Sequence, residues 1–250
     1  MVKSEKRIIF VAILFAAVFG TGTTASAMHI MEGYLPLGYC IAWGVLSVPF
    51  LVAGFIRIKK CLESNRRNIT LLAMAGAFIF VISSLKIPSL TGSCSHMTGT
   101  GLGAILFGPA PVSLLGIIVL IFQAILLAHG GITTLGANTF SMAIAGPLMS
   151  YGIYKLCQKL KVNKLVSVFL AASAGDLFTY CVTSIQLALA HNSSDGVAAA
   201  AVKFLGVFAP TQLPLAVLEG ILTVLIIMAL ETYGTQELME IGFIKKEVNG

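Results

Sequence analysis

Two adjacent residues, Met28 and His29 in the stretch TTASAMHIMEGYLP (23–36), could hold a metal ion between them if Met28 were a free N-terminus. The α-amine of Met28, the amide nitrogen of His29 and the imidazole Nδ1 of His29 would close a five-membered and then a six-membered chelate ring. Deprotonating an amide is costly, so the arrangement favours a strongly polarising ion such as Co²⁺, Ni²⁺ or Cu²⁺, whereas Mg²⁺ and Ca²⁺ want oxygen. One further imidazole would complete a set of four nitrogens. His96 is the candidate, because its loop KIPSLTGSCSHMTGTGLG (86–103) is rich in Gly, Ser and Thr and can fold back. On spacing alone, the alternative of interfacial polar histidines stays open. His129, before GGITTLG, is a weaker candidate, and His191 in HNSSDG reads as solvated.

The chelate needs a new N-terminus at Met28, and the preceding residues can supply one. A basic start (MVKSEKR), an apolar run (IIFVAILFAAVFG) and the small-residue ending Ala25-Ser26-Ala27 form a secretory signal. Cleavage after Ala27 is predicted, leaving residues 1–27 as signal peptide and 28–250 as a single integral membrane metal-binding domain. An uncleaved first transmembrane helix is the alternative.

The elements that would position these residues are apolar. Of the 250 residues 57% are hydrophobic and 10% charged, a composition foreign to a soluble domain. Apolar segments at 37–57, 69–87, 110–128, 137–158, 165–190 and 210–232 have spanning character, and a shorter piece at 98–109 precedes GPAP. RIKKCLESNRR (57–67) and KLCQKLKVNK (155–164) carry most of the positive charge and are assigned to the cytoplasm. Both can be inside only if 98–109 counts as a short span or re-entrant piece. The expected fold is therefore all-α and polytopic, about seven transmembrane helices, with the mature N-terminus outside and the C-terminus cytoplasmic. His29 and His96 then face the same side. The +6 charge is explained by topology and makes no case for nucleic acid. Five scattered cysteines suggest neither a disulfide framework nor a zinc site.

Polar residues within apolar segments are costly and need a role. Asp176 could tune a metal site or hydrogen-bond a neighbouring helix. Gln123, Thr133, Thr134 and Asn138, around HGGITTLGANTF, could orient a ligand imidazole or serve helix packing. Glu32 could support His29, and Glu219 reads as a helix–helix contact. Gly38 with Ala42, and Ala73 with Ala77, are spaced for close helix approach.

MHIMEGYLP after a cleavage site, followed by GSCSHMTGTGLGAILFGP, QAILLAHGGITTLGANTFSMAIAGP and AGDLFTYCVTSIQLALA, resembles the CbiM/NikM-type cobalt/nickel substrate-binding membrane subunits of energy-coupling-factor transporters. The likeness runs from Met28 to about residue 232. It implies a metal held by Met28, His29 and His96, with Co²⁺ (or Ni²⁺) as transported substrate and no catalytic cofactor. Glu32, His129, Asn138 and Asp176 would stand behind those ligands. The start is closer to the cobalt type than to the nickel type, where Met-His-Ile-Pro-Asp-Gly is expected. Met97 departs from the pattern, which implies Pro after the loop His.

The sequence has no GxxxxGK[ST] phosphate loop, GxSxG elbow or HExxH pair. The chain is therefore read as no enzyme, with energy for uphill uptake supplied by another chain. The resemblance implies ATP-binding-cassette ATPases, a transmembrane coupling subunit and a small accessory membrane protein as partners, the prokaryotic cell membrane as location, and cobalamin biosynthesis as destination. A self-sufficient secondary permease is the alternative, though Asp176 and His129 are a thin set of pathway groups for one.

Overall fold

The computed structural model describes residues 29–64, 68–88, 94–192 and 196–244. The predicted signal peptide and Met28 lie outside the described residues. The architecture is helical, apart from a two-residue antiparallel ladder that pairs β1 (Ile87–Pro88) with β2 (Cys94–Ser95). The helices are α1 (Leu37–Ser64), α2 (Asn68–Ser84), α3 (Thr100–Phe107), α4 (Pro109–Leu127), α5 (Leu135–Asn138), α6 (Gly146–Lys159), α7 (Lys164–Ala190), α8 (Gly196–Tyr233) and α9 (Thr235–Glu240). A π-helical stretch, Thr139–Ala145, joins α5 to α6 without a break.

Four described helices, α1, α4, α7 and α8, are long and apolar enough to cross a membrane, and α2 is a shorter apolar helix. Their seams with the notable irregularities are set by Gly and Pro. Gly108, at a φ of 83°, turns the chain between α3 and α4, and Pro109 opens α4 where its missing N–H costs nothing. Pro147 cannot donate into the preceding turn, and the widened π turns run directly up to it. At the start of α7, Asn163 caps the helix by accepting from Leu165 N at 2.9 Å.

The segment 98–109 differs from a span. Its helix, α3, has eight residues and is about 12 Å long at the usual rise, far short of a hydrocarbon core of about 30 Å. Residues 95–99 are instead a non-helical, fully buried approach to it. Likewise α8 begins at Gly196, well before the apolar run starting at 210, and carries Pro210 and Pro214 inside it.

Helix contacts are closest where glycine removes a side chain, and they are not the pairs expected. Gly38 has open space around it, and Ala42, Ala73 and Ala77 are exposed. The close crossings lie elsewhere. A Cβ on Gly136 of α5 would sit 2.5 Å from the Gly44 Cα of α1, backbone against backbone. On α6 and α7, Gly146 and Gly175 face each other, each carbonyl within 3.1 Å of where the other's Cβ would be. Gly136→Val should therefore lower stability by about 1–3 kcal/mol, since no side chain can yield. Gly152→Ala, with nothing within 4 Å, is the matched control and should leave it unchanged in thermal unfolding of detergent-solubilised protein.

Candidate metal centre

Four connections meet at one end of the bundle: the segment before α1, the loop from α2 to α3, the loop from α4 to α5, and the turn after α7. The first three each deliver a histidine. His29, His96 and His129 are all buried, and one ring nitrogen from each lies within 4.8 Å of the other two. The rings of His29 and His96 are stacked at 4.5 Å, and His129 is tilted against both, at 4.5 and 5.0 Å.

The tautomer of one ring follows from its neighbour. His96 Nδ1 lies 2.8 Å from the Met97 carbonyl, which can only accept, so Nδ1 carries the proton and Nε2 presents its lone pair. That Nε2 faces His29 Nδ1 at 2.6 Å. Two nitrogen donors at right angles around one first-row ion, each about 2.0 Å from it, would be about 2.8 Å apart. The pair is thus spaced as neighbouring ligands of a single ion. Nε2 of His29 and Nε2 of His129 have no hydrogen-bond partner among the described residues. Burial, aided at His29 and His129 by repulsion from neighbouring imidazoles, holds all three imidazoles well below the ordinary 6.5, His96 at about 4, so all are neutral at pH 7 and able to donate lone pairs.

Each histidine is held by different neighbours. Asn138 accepts from Ile30 N at 2.8 Å and donates to Ile30 O at 3.0 Å, acting as a strand partner for the residue after His29. Thr134 adds a donor to the same carbonyl at 2.6 Å. The loop can lie this close because Gly131 has no Cβ, which would stand 2.6 Å from the Glu32 Cα. Glu32 itself is exposed on the rim; its carboxylate accepts from Thr133 N at 3.2 Å, and Thr133 keeps it below the usual carboxylate range. His129 follows Ala128, whose φ of 47° ends α4, and its N–H returns to Gln123 O at 3.1 Å.

The model of the CbiM cobalt uptake substrate-specific transmembrane region matches residues 29–236. The chain belongs to the CbiM family. It is 71% identical over the full length of both chains to the cobalt transport protein CbiM of Lachnoclostridium phytofermentans. A CbiM of Chlorobium limicola is 57% identical over 96% of this chain and 94% of its own. A crystal structure of a transition metal transporter superposes with a TM-score of 0.73 at 28% identity, covering 89% of this chain and 100% of the other.

Within this CbiM member, the structure brings together His29, His96 and His129, with Asn138 directly behind His29's neighbour. His129, read from sequence as a supporting residue, has a ring nitrogen within 4.8 Å of one from each of the other two. Asp176 is connected to His96 at one remove: Gln212 Nε2 donates to its carboxylate at 2.5 Å and to the His96 carbonyl at 3.2 Å. Gln123 points away and donates to Ser83 at 2.7 Å. Met97 is buried in packing contact, and His191 is exposed but reaches the Tyr34 carbonyl at 2.8 Å. Two residues escaped the sequence reading. Thr211 and Gln212 share one face of α8 with Glu219, which, read as a helix–helix contact, meets the loop after His96 instead. An acid and an amide seven residues apart inside one apolar helix were the available signal.

Two outcomes follow. Asn138→Ala should free the segment behind His29 and weaken cation binding about tenfold in calorimetric titration, with the fold retained. The unfolded chain protonates its histidines near 6.5 while the folded site resists, so the stability of the metal-free protein should fall as pH is lowered from 6.5 towards 4. Unfolding midpoints measured across that range check this.

Proposed function

We propose that this chain is the substrate-capture subunit of an energy-coupling-factor importer for Co²⁺. The observation that carries the reading is the buried convergence of His29, His96 and His129, three neutral nitrogen donors with no carboxylate among them. Nitrogen donors suit Co²⁺ and neighbouring late first-row ions and disfavour Mg²⁺ and Ca²⁺. Signal cleavage after Ala27 completes the set: the Met28 amine and the His29 amide and Nδ1 supply three donors, and His96 Nε2 the fourth. His129 lies beside both imidazoles, its ring tilted against each.

The cation enters from outside, where the mature N-terminus lies, and leaves inward. In this topology the chain crosses seven times, counting 98–109 as a short span or re-entrant piece, with the basic loops at 57–67 and 155–164 cytoplasmic. ATP-binding-cassette subunits, a coupling subunit and a small accessory membrane protein supply and transmit the energy, and the cargo serves cobalamin synthesis. A buried histidine-lined site at one end of the bundle, in a sequence with no nucleotide motif, fits capture better than self-sufficient transport.

The test compares cobalt content of the purified mature protein with that of a form in which Ala25 and Ala27 are replaced to block cleavage, with N-termini checked by intact mass. Stoichiometric Co²⁺ in the cleaved form and none in the uncleaved one is expected. Equal content in both would remove the N-terminal chelate and leave the three imidazoles alone. Co²⁺ binding unaffected by His96→Ala would sink the site altogether.

A further inference from the structure

The loop that carries His96 makes few contacts of its own kind. Residues 96–99 are neither helix nor strand and are wholly buried, so their backbone N–H and C=O groups find no ladder beyond the one that ends at Ser95. Their partners come overwhelmingly from α8. Ser95 Oγ meets Thr211 Oγ1 at 2.7 Å, and the His96 carbonyl takes Gln212 Nε2 at 3.2 Å. Glu219, two turns further along, does most. Its carboxylate accepts from Thr98 N at 2.6 Å, from Thr98 Oγ1 at 2.9 Å and from Gly99 N at 3.0 Å.

Three features make this grip specific to the ring. Thr98 and Gly99 are the second and third residues after His96, close enough that a carboxylate fixing both N–H groups leaves the intervening Met97 peptide little freedom. That peptide's carbonyl is the group that sets the His96 tautomer and aims Nε2 at His29. Gly99 has a φ of 69°, and a Cβ there would lie 3.2 Å from the Ile79 Cα, so the turn is wedged against α2 and cannot relax that way. The remaining restraint is the carboxylate.

We propose that Glu219 is a positioning residue for the metal site: through Thr98 and Gly99 it holds the Met97 peptide, and through that peptide it orients His96. This rests on the reading of His96 as a Co²⁺ ligand. His29 is held by a different part of the molecule, Asn138 and Thr134. The distance between the two donors is therefore set by where α8 stands relative to the 128–138 segment, and moving α8 moves His96 with it.

The experiment uses the mature full-length protein in detergent, as wild type, Glu219→Gln, Thr98→Val and His96→Ala. Each is titrated with CoCl₂, the visible absorption of bound Co²⁺ is recorded, and its loss to a chelator is timed. Glutamine keeps the size but replaces one acceptor by a donor that faces a backbone N–H. Glu219→Gln should weaken binding about 10- to 100-fold, speed release and shift the absorption towards that of His96→Ala. Thr98→Val, which removes only the hydroxyl donor, should do the same to a smaller degree. A Glu219→Gln protein with a lower unfolding midpoint but wild-type affinity and spectrum would overturn the proposal, because a purely structural contact would behave that way. If Glu219→Gln does not fold, Thr98→Val decides: wild-type affinity and spectrum there overturn it. No Co²⁺ uptake by the wild type overturns the capture reading and this proposal with it. Binding by the wild type with unchanged variants overturns this proposal alone.

Discussion

Backbone that is neither helix nor sheet, yet buried among apolar helices, must be hydrogen-bonded by side chains, and the interior of this protein is arranged around that requirement. Two such stretches enter it, at Ile30 and at 96–99. In an apolar interior each unmet N–H or C=O costs several kcal/mol, about what water would otherwise have supplied. Asn138 and Thr134 meet the needs of the first stretch, and Glu219 and Gln212 those of the second. Asn138, Gln212 and Glu219, polar residues set in helices, are accounted for by this task.

The same requirement produces the metal centre. A helix could not bring three imidazoles from three connections to one point, because its side chains leave one axis on fixed bearings. Loops that dip into the bundle can, provided that their backbones are tied. Tying them also desolvates the rings, which keeps them neutral and ready to donate at physiological pH. The close helix crossings at Gly136 and Gly44, and at Gly146 and Gly175, have a place in this as well. They fix α5 against α1 and α6 against α7, and so fix the platform from which Asn138 reaches Ile30.

Membership in the CbiM family and the local chemistry point the same way from independent starting points. The family match covers the chain from His29 to Gln236 and concerns cobalt uptake. The donor set, read without it, is three imidazoles with no carboxylate among the described residues of the cluster, which favours late first-row ions over the hard cations. What neither supplies is the means by which a bound ion is let go. The hold on the ligands is divided between α8, behind His96, and Asn138 with Thr134, behind His29, and that division offers a physical basis.

Much was legible in the sequence because membrane helices announce themselves: a backbone in hydrocarbon must bond internally, so long apolar runs have one outcome. The helices at 37–64, 68–84, 109–127 and 164–190 follow from that rule, and the Met28-His29 and His96 pattern follows from chelate geometry and from resemblance. The short α3, the π-helical passage into Pro147 and the early start of α8 did not follow, because hydropathy reports the solvent of a segment and not its depth or its turns. Nor did sequence place His129 beside His29 and His96, or turn Glu219 towards Thr98 and Gly99. Those are contacts between residues about 30 to 120 positions apart, chosen by which loops sink into the bundle together. The residue types determined what chemistry this chain can do; the packing of its helices decided which of those residues share one point in space, because only the folded backbone sets those distances.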